Sequence, residues 1–191
     1  MLVLIKGAGD LATGTAVRLY RAGIKVVMTE VAQPTAVRRT VAFSQCMYDG
    51  AAQVEGISAR RAEDAGAARR ALERGEVPVL CDPEAAILRE LSFDGVVDAI
   101  LAKRNLGTAI TDAPVVLALG PGFTAGVDCH GVVETMRGHN LGRLLTQGSA
   151  APNTGVPGDV GGYTTQRIIR APADGAFEPL AAIGQRVKEG Q

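Results

Sequence analysis

The 191-residue chain sets 20 Lys and Arg against 20 Asp and Glu, and its charged residues, 21% of the total, are spread rather than blocked. This excludes the electrostatic footprint of a nucleic-acid binder. Its apolar runs are too short to cross a bilayer, and the amino terminus enters a strand with no basic, cleavable leader, so a cytoplasmic protein with no membrane partner is expected.

Leu2 to Ile5 is apolar and leads through Lys6 into Gly7-Ala8-Gly9-Asp10-Leu11-Ala12. A helical pattern follows to Ala22, then Gly23 as a stop and a second apolar run from Ile24 to Met28 ending at Thr29-Glu30. Gly7-x-Gly9-x-x-Ala12 fits the dinucleotide fingerprint. The first glycine makes a tight turn, the second lets the backbone approach a phosphate, and the third, small residue lets helix and strand pack. The helix N-terminus would present N–H groups and a positive dipole end to that anion. Asp10, in its first turn, either caps the helix or repels a phosphate. Glu30 falls about 20 residues after the glycines, where the fingerprint places an acid for ribose hydroxyls.

Thr35 to Thr40 could open a short helix, and its Arg38 and Arg39 offer planar forks for phosphate or carboxylate. A third strand is expected over Ala52 to Ala59, a helix over Glu63 to Arg74 closed by Gly75, and a fourth strand over Val77 to Cys81. Asp82-Pro83-Glu84 reads as a capped helix start, with Ile87, Leu88 and Leu91 as its buried face. Further strands are expected at Val96 to Ala102 and Pro114 to Leu119, followed respectively by Lys103-Arg104-Asn105 and Gly120-Pro121-Gly122. Alternating strands and helices imply a Rossmann-like parallel sheet with helices on both faces, and a ligand crevice outside the carboxyl ends of the strands. The candidate ligand-binding residues on that edge are Gly7, Ala8, Gly9, Asp10, Glu30, Arg38, Arg39 and Arg104. No metal-ligand set is visible, since no CxxC pair or His-rich cluster occurs.

This part is expected to span 1-125. A glycine-rich connecting region, 126-165, carries a possible strand at Val132 to Thr135, His139 with Asn140 and Arg143, and a long loop from Gly148 to Gly162. His130 and Cys129 are neighbours on a strand and should face opposite ways. The end, 166-191, with its Arg170-Ala171-Pro172-Ala173-Asp174-Gly175-Ala176-Phe177 and Ile183-Gly184-Gln185-Arg186-Val187 turns, resembles the start of a small β barrel-sandwich of the lipoyl/biotinyl kind, without its carrier lysine and half built where the sequence stops.

Several long motifs together carry a wider resemblance: Ile5 to Gly14, Arg38 to Ser44, Arg137 to Arg143, Gly148 to Gly155 and Arg170 to Gly175. In these the chain resembles the YqeB family, accessory proteins of the selenium-dependent molybdenum hydroxylase system, related in outlook to XdhC-type maturation factors. The resemblance implies a role in maturing a molybdenum hydroxylase, with the apoenzyme as partner and a dinucleotide, either NAD or the dinucleotide form of the molybdenum cofactor, as the small-molecule ligand. It supplies no catalytic residue. A transferred sulfur or selenium would call for a thiol, with Cys46, Cys81 or Cys129 as candidates, of which Cys81 lies at the crevice edge. Two other readings stand beside it: an NAD(P)-dependent oxidoreductase, for which no general acid is evident, and a non-catalytic scaffold that docks onto a partner enzyme. Self-association into a homo-oligomer is left open.

Overall fold

The first strand, β1 (Leu2–Lys6), is buried from Val3 onward and becomes the centre of the sheet. The computed structural model describes residues Met1–Gly190, and the chain divides into two compact units, Met1–Asn153 and Thr154–Gln191. Within β1, Val3 and Ile5 join one core while Leu4 joins another, so both faces are covered. A strand buried on both sides has no polar face to alternate with, which is why its sequence is a continuous apolar run.

Helix α1 (Asp10–Arg21) packs Ala12, Ala16 and Val17 on the first of these faces. It ends where the sequence marks it: Gly23 takes φ +78°, and the Gly23 and Ile24 N–H groups return to the Tyr20 and Leu19 carbonyls. Strand β2 (Lys25–Glu30) then pairs in parallel with β1. Two short 3₁₀ turns, Arg39–Val41 and Phe43–Gln45, and a single helical turn, α2 (Cys46–Asp49), replace the helix expected over Thr35 to Thr40.

The third expected strand is two. β3 (Ala51–Val54) and β4 (Ile57–Ala62) form an antiparallel hairpin. Glu55 and Gly56 both have positive φ, 49° and 80°, the geometry of a tight hairpin turn. Helix α3 (Ala65–Glu73) is capped by Asp64, whose Oδ1 accepts the Ala67 N–H at 2.6 Å, and packs Ala65 and Ala68 on the opposite face from α1. Strand β5 (Val77–Cys81) follows as expected.

Asp82 does cap, but four residues ahead of its helix: its two oxygens accept the Ala86 and Ile87 N–H groups, each at 2.9 Å. Ala85 at φ +53° breaks the helical run, leaving only a 3₁₀ turn at Ala86–Arg89. Strand β6 (Gly95–Asp98) stops short of the expected Ala102, because Leu101 and Lys103 adopt left-handed backbone conformations. β7 (Val116–Leu119), β8 (Gly131–Val133) and β9 (Leu144–Leu145) complete the sheet.

The protein is thus mixed α/β, with few helices and one nine-stranded, mostly parallel sheet in the order β3-β4-β5-β2-β1-β6-β7-β8-β9. The chain adds strands to one side of β1 until β5, then crosses to the other side with β6. Strand order therefore reverses between β1 and β6.

In the second unit the described residues show no strands of the expected barrel-sandwich start. Its only regular element among the described residues is a 3₁₀ turn at Thr165–Arg167, with one isolated bridge between Val160 and Tyr163. None of its described residues is buried, and Ile169 and Leu180 are 99% exposed. Strand-forming side chains with nothing to pack against cannot offset the entropy of ordering them.

Candidate functional site

The reversal point brings the carboxyl ends of β1 and β6 side by side, where open α/β sheets place their ligands. Gly7 makes the turn at φ +93°, and its N–H donates to the Thr29 carbonyl at 2.8 Å. A Cβ there would meet the Ala99 carbonyl oxygen and the Ile100 Cα at 3.0 Å, so the backbone leaving β6 leans directly on Gly7. Gly9 is the opposite case. It is the N-cap of α1, no side chain caps the helix, and a Cβ at Gly9 would have nothing within 4 Å. A helix N-terminus with no side-chain cap and room beside its N-cap is where an anion can be held.

The residue between the two glycines is occupied by the protein itself. The Ala8 N–H donates to Glu30 Oε2 at 2.9 Å, and its carbonyl accepts from the Ser44 N–H at 2.8 Å and the Thr13 hydroxyl at 3.1 Å. Glu30 Oε1 accepts the Val31 N–H at 2.8 Å. Glu30 is where a ribose acid belongs, yet its two oxygens hold the turn. Ala8 is fully buried.

Asp10 does not cap α1. It pairs with the Arg38 guanidinium, so the charge that would repel a phosphate is offset. Arg39 is half-buried in the 3₁₀ turn that follows.

A buried polar cluster sits at the reversal point, and sequence reasoning missed it. Lys6, the last residue of β1, is 2% exposed, and its register partner across the β1–β6 pair is Asp98, also 2% exposed. The Lys6 ammonium donates to the Thr108 hydroxyl at 2.7 Å, and that hydroxyl donates to Asp98 Oδ2 at 2.6 Å. Asp98 Oδ1 also accepts the Ile100 N–H at 3.2 Å. Asn105 shapes the loop that delivers Thr108: its amide donates to the Thr108 carbonyl at 2.8 Å and its oxygen accepts the Gly107 and Thr108 N–H groups. The one signal in the sequence was a lysine in line with a doubly buried strand. Such a charge needs a partner from elsewhere in the chain.

Further along the same edge, Gly120 and Gly122 both have positive φ, 77° and 109°. A Cβ at Gly122 would fall 2.5 Å from the Arg104 nitrogen, and one at Gly120 would fall 2.7 Å from the Thr135 hydroxyl oxygen. The Gly120–Gly122 turn is therefore pressed between the loop carrying Lys103 and Arg104 and the one that follows β8. Glu134, nearly buried, opens that last loop. Its oxygens accept the Met136 N–H at 2.7 Å and the Ala151 N–H at 2.8 Å, and these backbone donors, Ala151 first, hold its carboxyl below the usual range.

The three thiols separate by burial. Cys46 is buried and pushed up to about 12 by that burial, and Cys129 is buried and raised for the same reason. Cys81 alone is exposed, at the carboxyl end of β5 and in register with Glu30. His130 Nδ1 accepts the Val116 N–H at 3.0 Å while Cys129 faces the core, so the two form no couple. His139 is exposed in the loop between β8 and β9. Among the described residues no group of three His, Cys, Asp or Glu could hold a metal ion, and no helix is long and apolar enough to cross a membrane.

Over 189 residues the chain is 56% identical to the uncharacterized protein YqeB of Escherichia coli (strain K12). That supports the YqeB family. The match takes in 99% of this chain but only 35% of that relative, so the chain spans about a third of its length. No family model matches the chain, and no solved structure does.

Proposed function

We propose that this chain is the nucleotide-binding portion of an accessory factor that matures a selenium-dependent molybdenum hydroxylase, using a Rossmann-like crevice to hold a dinucleotide, NAD or the dinucleotide form of the molybdenum cofactor. The observation that carries the binding half is the uncapped N-terminus of α1 behind Gly9, open to a phosphate at the edge where strand order reverses. The maturation half rests on the resemblance to the YqeB family. In this reading Gly9 and the first turn of α1 hold the pyrophosphate, Arg39 and Arg104 balance its charge, and Glu30 must release Ala8 before it can take a ribose hydroxyl. If sulfur or selenium passes through the factor, Cys81 is the thiol able to carry it, being exposed beside Glu30.

The saturation of Ala8 by Glu30, Thr13 and Ser44 favours a second reading, a scaffold whose glycine turn is only structural and which acts by docking its partner enzyme. Thermal unfolding with and without NAD, ATP, CTP and the molybdenum cofactor dinucleotide separates the two. A ligand at about 100 times its Kd should add about 2.7 kcal/mol to the wild type. Gly9→Ser, which fills the open space with a cap, should match or slightly exceed wild-type stability without ligand and lose that gain. No gain with any of the four in the wild type leaves the scaffold.

A further inference from the structure

We infer that the same edge carries a second oxyanion subsite, at the Gly120–Gly122 turn, flanked by Arg104 on one side and Arg137 on the other, and that the ligand is a molecule with two phosphate-class anions. This rests on reading the carboxyl edge as an anion site, but on residues separate from the first glycine turn. Five acids of this edge are already committed. Glu30, Asp82 and Glu134 accept backbone N–H groups, Asp98 takes the Thr108 hydroxyl, and Asp10 pairs with Arg38. Two cations are not balanced in the same way: Arg104 and Arg137 are exposed, and neither enters an ion pair among the described residues.

The loops that carry these two arginines press on one turn. Gly122 touches the Lys103–Arg104 backbone, Gly120 touches Thr135, and Arg137 follows two residues later, in a loop fixed at its base by Glu134. A side chain on either glycine would push the flanking loops apart, so glycine there keeps the loops bearing Arg104 and Arg137 against one patch of backbone. Arginine's planar fork suits a phosphate oxyanion. β7 is two strands from β1, so the two subsites lie about 10 Å apart. The ligand's second anion must stand at that distance from the first.

The test uses the whole chain with 15N-labelled arginine, titrated with inorganic pyrophosphate and read at the arginine Nε–H signals. Arg104 and Arg137 should shift together with one midpoint, in the wild type and in Gly9→Ser alike. Arg104→Gln should weaken the response at Arg137 roughly tenfold, and Arg137→Gln the response at Arg104. Different midpoints, or shifts no larger than those of the exposed Arg170 and Arg186, overturn the subsite. An alkane bisphosphonate long enough to reach both turns should bind at least tenfold tighter than methylphosphonate, a gain lost in either Gly9→Ser or Arg104→Gln. Equal affinity overturns the two-anion ligand. Failure at the first turn would show separately, in a uniformly 15N-labelled sample, as a Gly9 amide signal that no nucleotide moves while the two arginines still respond to pyrophosphate.

Discussion

Gly9 and Gly122 mark the two extremes of what a side chain would meet. Gly122→Ala forces a Cβ to within 2.5 Å of backbone at φ +109°, and neither neighbour is a flexible side-chain tip that could move aside. Left-handed strain of about 1–2 kcal/mol and overpacking of about 1–3 kcal/mol both apply, so a loss of at least about 2 kcal/mol in urea unfolding is expected. A loss below about 1 kcal/mol would show that the Lys103–Arg104 backbone yields. Lys6→Met poses a different problem. It leaves the Asp98 carboxylate buried with only the Thr108 hydroxyl and the Ile100 N–H, and breaking such an arrangement from one side costs about 3–5 kcal/mol. Adding Asp98→Asn should recover part of that loss, whereas simple additivity of the two single costs would mean that the side chains act independently.

Among the elements, the loop between β8 and β9 depends on one carboxylate. Glu134 accepts the Met136 and Ala151 N–H groups, and its folded value is lowered. Its contribution is therefore fully present above the ordinary glutamate range, near about pH 4.3, and is lost as pH falls through the lowered folded value. Glu134→Gln should flatten that acid limb in a comparison of stability against pH, and a wild-type slope retained in the variant would assign the acid sensitivity elsewhere, Glu76 with its Arg60 and Arg74 partners being the next candidate. Legibility in the sequence varied in the same element-by-element way. β1, α1, β2, α3, β5 and β7 were visible because each has an apolar run or stripe with a glycine or a capping acid at its end. The β3–β4 hairpin was hidden because Glu55-Gly56 is not one of the dipeptides that usually mark such a turn. The Lys6, Thr108 and Asp98 cluster was hidden because Lys6 lies 102 residues from Thr108 and only the parallel pairing of β1 with β6 joins them.

At the scale of the whole molecule, the three cysteines make accessibility measurable. A thiol reagent should label one cysteine per native chain, Cys81, and all three only after unfolding. Fast reaction of a second thiol in the native state would contradict the burial of Cys46 and Cys129. Placement of the candidate ligand residues on one edge was legible, since it follows from strand direction alone. Their pairing was not: that Arg38 would answer Asp10, and Glu30 would answer Ala8, depends on how the turns after β1 and β2 fold against each other. The barrel-like motif at the end was legible as a pattern only, since its apolar residues find no common core among themselves.

The Lys6 to Asp98 connection also bears on how the sheet is assembled. β6 is the first strand to join β1 from the far side, after the chain has already built four strands on the near side. A slip of one residue between β1 and β6 would turn Asp98 to the other face, away from the Thr108 hydroxyl, and leave an ammonium sealed among apolar side chains. Misalignment is thereby made costly at the step where the chain changes direction, so the cluster acts as an error check on assembly, independent of any ligand the edge later receives.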